Sequence, residues 1–299
     1  MDSLLLLFRA PVLALQLLID GVLTGAIFAL AAYGMALVWG VMKIINICQG
    51  SFVMLGGLLA LELADAGLPA FFSVPAAALA LFLVGWAINR LVISRIVEQD
   101  LFISILATFG LSILLDQLMN EVFGADVRTL DSGLGTWFMF GGLVSVSQIK
   151  VAAFIITLLI AVALVLFMRG TRLGQAIRAT AQNARAARIL GIDTNRTYAV
   201  TYAINAALCG ATGALVAMVW TVSPYAGIIY AIRAFMIVVA AGIGNLPGVV
   251  AAGLGLGIFE QFVGFILGAQ FQIALVFLLL VAILVYRSRR LARQRKRLQ

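Results

Sequence analysis

The residues best able to do chemistry in this chain are the ionisable side chains inside its long apolar stretches, because in lipid such groups relay protons, hold cations or contact solute. Five carboxylates fall in such stretches: Asp20, Glu62, Asp65, Asp116 and Glu260. All but Glu260 are expected near a membrane boundary, and histidine is absent altogether. Intrinsic ion coupling is therefore poorly supported. Arg233 lies four residues after Ile229 in another apolar run. Three roles are open for it: a charge pair with Glu260 inside the bundle, a reach toward an interface, or contact with solute.

Between the first two long apolar stretches stand Asn46 and Gln49, bounded by Gly40 and Gly50, with Ser51 just beyond. The glycines and polar residues predict a break in the helix there. Amides and free backbone are costly in lipid, so they must face protein or a water-filled cavity. Two readings follow. The amides satisfy carbonyls at a broken helix end, or Asn46, Gln49 and Ser51 line a translocation path with Met54 as an adaptable apolar wall.

Catalytic patterns are missing. The sequence has no nucleophile-elbow glycine pattern, no paired histidine and carboxylate, no zinc-binding helix motif and no Walker loop with its lysine. No catalytic residue and no metal site is expected. Cys48 and Cys209 both lie in apolar surroundings without metal-ligand spacing and are read as packing residues. The chain is expected to bind no cofactor, so active transport would draw its energy from a partner on the cytoplasmic face.

These residues sit in a chain of 299, of which 64% are hydrophobic and 11% charged. A soluble domain carries about 25% charged residues and could not hide so much apolar surface. Lipid must be the solvent, and spans in lipid are helices or closed barrels. Apolar runs predict an all-α polytopic bundle of eight or nine crossings, at 12–40, 50–65, 70–92, 101–122, 149–169, 197–221, 229–244, 247–268 and 271–286. The whole of 1–299 reads as one transmembrane domain. Residues 3–18 are open between an interfacial helix and a further crossing.

The net charge of +8 is not a nucleic-acid signature, because the basic residues are confined to short loops and the tail 287–299. Clusters at Arg90 and Arg95, from Arg169 to Arg196 and at the C-terminus are expected to be cytoplasmic, while the acidic segment 121–135 is expected outside. Trp137 and Trp220 are expected at the outer boundary, Trp39 at the inner one and Trp86 in the core. The 29 glycines concentrate at 34–57 and 242–268, which predicts close helix approach. Where polar residues and a proline join them, as in Gly242 to Gly248, helix interruption is the alternative.

One long polar segment has strong helix-forming content, 170–196. Its alanines and arginines predict a helix from Leu173 to Leu190, stopped by Gly191. On it Ala179, Asn183, Ala186 and Leu190 would share one face, with Arg178, Arg185 and Arg188 spread around. Such a small-residue face suits a groove on a partner protein, or the helix lies on anionic lipid headgroups.

The run from Gly170 to Ile192 resembles the coupling loop of ATP-binding cassette importer permeases. The specific likeness is to the G-R-A-x-R-A-x-A-Q-x-x-x-A-A-x-x-x-G-I form of branched-chain amino acid permeases, with Gln175 replacing the usual Arg. Gly25 to Leu30, Tyr33-Gly34 and Gly40 to Gly50 resemble the family's first-span signature. Thr108 to Ser112 resembles its T-x-G-L-S, and Arg233 to Phe235 with Gly242 to Gly248 resembles its K-A-F and later glycine motif. The resemblance runs from about Leu17 to Tyr286. It implies an ATP-binding cassette permease architecture with discontinuous helices in the bacterial inner membrane, C-terminus cytoplasmic. It also implies a second permease subunit, homologous or identical, two cytoplasmic ATPases that bind the ATP and Mg, and a periplasmic solute-binding protein. Coupling to the ATPases would fall to Gly174, Arg178, Ala179, Ala181, Gln182, Asn183, Ala186, Ala187, Leu190 and Gly191. Ile47 and Cys48 replace the usual Phe and Ala, and Ala241 replaces a Gly. The solute thus stays open between branched-chain amino acids, urea, short amides and aromatic acids. A passive channel, an ion-coupled carrier and a lipid-active membrane enzyme are the rival classes.

Overall fold

A computed structural model describes residues 10–142, 144–242 and 244–295. Expectations for residues 3–9 and for the end of the basic tail, Lys296 and Arg297, lie outside the described residues. The first helix, α1 (Pro11–Met42), is followed by α2 (Gln49–Asp65), α3 (Ala70–Leu91) and α4 (Leu101–Phe123). A hairpin of β1 (Thr136–Met139) and β2 (Val144–Ser147) precedes α5 (Gln148–Gly170). Then come α6 (Arg172–Gln182), α7 (Ala184–Ile189), α8 (Thr194–Val219), α9 (Gly227–Ala241), α10 (Leu246–Leu267) and α11 (Gln272–Arg295).

Each of the nine apolar stretches coincides with one helix, and among the described residues eight helical segments are long and apolar enough to cross a membrane. The ninth, α2, has 17 residues, about 26 Å at 1.5 Å per residue. It is short because α1 ends in a left-handed cap at Lys43 (φ 57°, ψ 26°) and the chain runs irregularly to Cys48. The sequence places this break where the structure has it. The backbone there is tolerable only because protein surrounds it: α2 packs on α8, α9 and α3, and Phe52, Val53 and Met54 are wholly buried.

Glycine sets the spacing of the bundle. Gly21 and Gly25 of α1 lie against Gly253 and Gly257 of α10, so closely that a Cβ on Gly25 would stand 2.5 Å from the Gly253 carbonyl oxygen. Gly50 meets Gly227, Gly56 meets Gly210, and Gly57 meets Gly213, which draws α2 onto α8 and α9. Close packing is therefore the use of most of these glycines. Gly242 (φ 91°) and Gly244 (φ 79°) instead interrupt the chain between α9 and α10, and Asn245 caps α10 by accepting from the Gly248 N–H at 3.1 Å.

At one end of the bundle the hairpin packs against α1 through Val144 and Val146 around Leu23, and Lys150 pairs with Asp20 at 3.0 Å. Arg128 bridges to Glu62 at 2.7 Å and to Asp65, while its backbone pairs with Val222. Glu62 and Asp65 thus sit at the end of α2, as expected. Neither Asp20, nine residues into α1, nor Asp116 sits at a helix end; Asp20 lies where the hairpin end pairs it with Lys150. Asp116 lies toward the far end of α4. It is seven residues short of the end of α4, about 10 Å inside. Trp86 is also not core: it is 44% exposed, with the Arg90 guanidinium 5.7 Å from its ring. Trp39 and Trp220 stack on Phe235 and Phe28 at 5.4 and 5.9 Å.

If glycine contacts hold α1 to α10, Gly257→Val lowers the thermal unfolding midpoint of the detergent-solubilised protein. The expected cost is about 1–3 kcal/mol from overpacking. Gly255→Val, with nothing within 4 Å of its Cβ position, leaves the midpoint within experimental error.

Candidate functional site

Two groups of polar residues stand out, one buried at the break between α1 and α2 and one at the end of the bundle where 170–196 lies. At the break, Asn46, Gln49, Ser51 and Met54 are 1%, 0%, 2% and 0% exposed, so in this state all four are enclosed by their own chain. Gln49 donates from Nε2 to the Ala31 carbonyl at 2.8 Å, and Tyr202 donates to Asn46 Oδ1 at 3.4 Å. Thr108 Oγ1 accepts from the Ile47 N–H at 3.2 Å, tying the irregular segment to α4. Ser51 and Ser112 hydroxyls are 2.8 Å apart. Thr108 therefore satisfies backbone of the broken segment, whereas the amides have their own polar atoms to satisfy, through the mid-helix Ala31 carbonyl and the Tyr202 hydroxyl.

That work is incomplete. Asn46 Nδ2, Gln49 Oε1 and Asn205 Nδ2 are buried without a hydrogen-bond partner. Asn205 and Gln49 stand against Gly34, whose lack of a Cβ leaves room for both. The structure thus brings Tyr202 and Asn205 of α8 and Thr108 and Ser112 of α4 to the residues singled out from sequence. Asn205, an amide in the middle of an apolar span, was a visible signal; nothing in the sequence placed it against Gln49.

Arg233 and Glu260 do pair, with Nε to Oε1 at 2.8 Å and side chains 16% and 5% exposed. The guanidinium carbon also lies 4.5 Å from the Phe28 ring centroid and 5.7 Å from that of Tyr230. The pair borders a cavity of about 390 Å³ between α1, α9 and α10. Removing one member leaves an uncompensated buried charge. Glu260→Gln is therefore expected to cost about 3–5 kcal/mol of stability, read by thermal unfolding in detergent. Arg233→Met combined with Glu260→Met recovers most of the loss.

At the other end, the single helix expected over 173–190 is two helices. α6 stops at Gln182 and α7 starts at Ala184, because Asn183 turns extended (φ −156°, ψ 100°) and accepts the Ala186 N–H at 3.0 Å. Asparagine competes with the helix by capping the next one. Ala179 and Leu190 consequently do not share a continuous face with Asn183 and Ala186. Gly191, at φ 83°, ends α7 as expected.

The ten coupling residues divide by environment. Gly174 is buried against the carbonyls of Phe167 and Met168, where a Cβ would clash, and Arg178 donates to the Met168 carbonyl. Ala187 is buried and Ala179 and Ala181 are half-buried. Gln182, Asn183, Ala186, Leu190 and Gly191 are exposed. Ile189, which the helical-face argument passed over, is 82% exposed beside Leu190 at 80%. Two large apolar side chains standing free at the tip of a polar segment suit a partner's groove.

Arg188 fixes this tip. It donates to Thr194 Oγ1 at 2.6 Å, at the start of α8, and pairs with Glu98 in the turn before α4. The hydrogen bond to Glu98 raises the guanidinium still further above its ordinary range, so it stays charged. Lys43, Glu98, Arg185 and Arg188 border a polar cleft of about 500 Å³ between the tip and the ends of α1 and α4.

Residues 17–286 match the family described as branched-chain amino acid transport system, permease component. The chain is 30% identical over 288 residues to the high-affinity branched-chain amino acid transport system permease protein BraD of Pseudomonas aeruginosa, covering 91% of this chain and 94% of that protein. It is 30% identical over 285 residues to LivH of Escherichia coli, a permease protein of the same description, covering 91% and 92%. A probable branched-chain amino acid transport permease protein of Methanocaldococcus jannaschii is 26% identical over 86% of this chain and 83% of its own length. No solved structure matches the chain.

Proposed function

Since this chain belongs to the branched-chain amino acid transport permease family, we propose that it forms one wall of the solute path in an ATP-driven importer for branched-chain amino acids. A second permease, homologous or identical, completes the path. Two ATPase subunits dock on the basic end and hold the ATP and Mg. A solute-binding protein delivers its cargo at the hairpin end. The membrane is the bacterial inner membrane, with 170–196 and the C-terminus in the cytoplasm, as the distribution of Arg and Lys supports.

The observation that carries this reading is the tip of α7. Ile189 and Leu190 project from the end of a short capped helix, and Arg188 beside them ties that end to Thr194 and Glu98. A rigid lever of this kind suits a groove that moves on ATP binding. Through Glu98 its displacement reaches Asp100, the N-terminal cap of α4, and through Thr194 it reaches the first turn of α8. Closure of two ATPases beneath the permease pair would thus shift α4 and α8 against α2. Ser51, bonded to Ser112, is the member of the predicted path group that borders α4; Asn46, Gln49 and Met54 would come into contact with solute only when α2 separates from its neighbours.

Affinity purification of the tagged chain from its native membrane tests the docking. ATPase subunits are expected to co-purify with the wild type and to fall at least tenfold with Ile189→Glu and Leu190→Glu together. The yield of the permease itself should stay level, since neither side chain supports its packing. Failure of any ATPase to co-purify with the wild type would move a passive channel or carrier to the front.

A further inference from the structure

Helix α4 carries polar residues at strict four-residue spacing over its whole length: Ser104, Thr108, Ser112, Asp116 and Asn120. Side chains four apart lie along one ridge of a helix. The stripe starts inside the subunit, where Ser104 and Thr108 are fully buried; Ser104 donates to the Leu101 carbonyl at 2.7 Å and Thr108 holds the broken segment before α2. Four residues of an α-helix turn slightly more than one full revolution. The ridge therefore winds outward, and Ser112, Asp116 and Asn120 are half-buried at the subunit surface.

That surface mixes this polar ridge with large apolar side chains. α4 rests on α2 and on the turn Pro224–Ala226, and most of its circumference stands clear of the bundle. Phe109 and Ile113, about half exposed, stand beside the stripe at helical spacing. Asp20, Glu62, Asp65 and Glu260 each have an ion partner; among the described residues Asp116 has none. The Ser51 hydroxyl lies beside its carboxyl, yet Oδ1 is buried with no hydrogen-bond partner. The residue as a whole is only half-buried, and a carboxylate about 10 Å inside a membrane helix is not left facing lipid without a counter-charge.

We propose that the stripe Ser112, Asp116 and Asn120 lines the solute path and that Asp116 receives the ammonium group of the passing amino acid. The proposal rests on the importer reading above. An α-ammonium brings three donors and the charge that Asp116 lacks. The apolar residues beside the stripe suit an aliphatic side chain. A single ammonium-carboxylate contact binds briefly, as passage requires.

Two measurements test it. Ser112→Cys and Asn120→Cys, each in the full chain in native membranes, are treated with a membrane-impermeant sulfonated maleimide. Cys48 and Cys209 are fully buried and give little background. Both new thiols should label, and leucine should slow labelling at Asn120→Cys about threefold or more. Absence of labelling at both positions, or labelling indifferent to leucine, overturns the proposal and favours a structural partner for Asp116, such as a cation of the second permease. In proteoliposomes holding the purified complex, Asp116→Asn should lower leucine uptake about tenfold or more, and Asp116→Glu should recover part of it. Uptake at the wild-type rate with Asp116→Asn overturns the proposal while leaving the importer reading intact. A wild-type complex that carries no leucine overturns the importer reading itself. If Asp116→Asn fails to assemble, the labelling result decides.

Discussion

Helices dissolved in lipid gain little from hydrophobic attraction, so they hold together only where their surfaces meet closely or where polar groups satisfy each other. In this chain close approach comes first. Gly21, Gly25, Gly253 and Gly257 bring the backbones of α1 and α10 into contact, and Gly50, Gly56, Gly57, Gly210, Gly213 and Gly227 do the same for α2, α8 and α9. Every other feature depends on that proximity. Only a tightly enclosed α2 can be preceded by an irregular segment with free backbone groups at membrane depth, and only a carbonyl as near as that of Ala31 can receive Gln49.

The same proximity makes the buried polar residues cooperative. Asn46, Gln49, Tyr202, Asn205 and Thr108 come from the α1–α2 break, α8 and α4, and three of their atoms stay unpartnered when the subunit is closed. Buried polar atoms are as a rule hydrogen-bonded, so these three mark the least satisfied part of the bundle. Arg233 and Glu260 are the opposite case, a pair satisfied within the subunit and cushioned by Phe28 and Tyr230. Helix α4 runs between the two groups: its first turn is capped beside Glu98 and its later turns carry Asp116 out to the surface.

Much of this could be read from residues alone. The apolar runs determined the nine helical stretches and the all-α class, since lipid leaves the backbone no alternative to internal hydrogen bonds. Gly40, Asn46, Gln49 and Gly50 marked the break between α1 and α2. The ordered motifs from Gly25 to Gly248 indicated the permease family that the matched relatives share. Periodicity served less well in 170–196, where an alanine-rich run masked the capping tendency of Asn183 and one helix was expected in place of two.

What only the tertiary structure decided is which polar groups face one another. Sequence spacing locates a residue along its own helix but says nothing of rotation against a neighbour, and in lipid a one-residue change of rotation exchanges a partner for hydrocarbon. Hence Arg233 meeting Glu260, Asn205 standing against Gln49, and Trp86 lying outside the core were not legible. Asp116 shows the limit most plainly: its sequence position suggested a boundary, and only the packing of α4 set its carboxyl beside the Ser51 hydroxyl with no ion partner among the described residues. Composition and pattern thus determined where the chain crosses the membrane and what kind of protein it is, while the close contacts of glycine-faced helices decided which side chains meet.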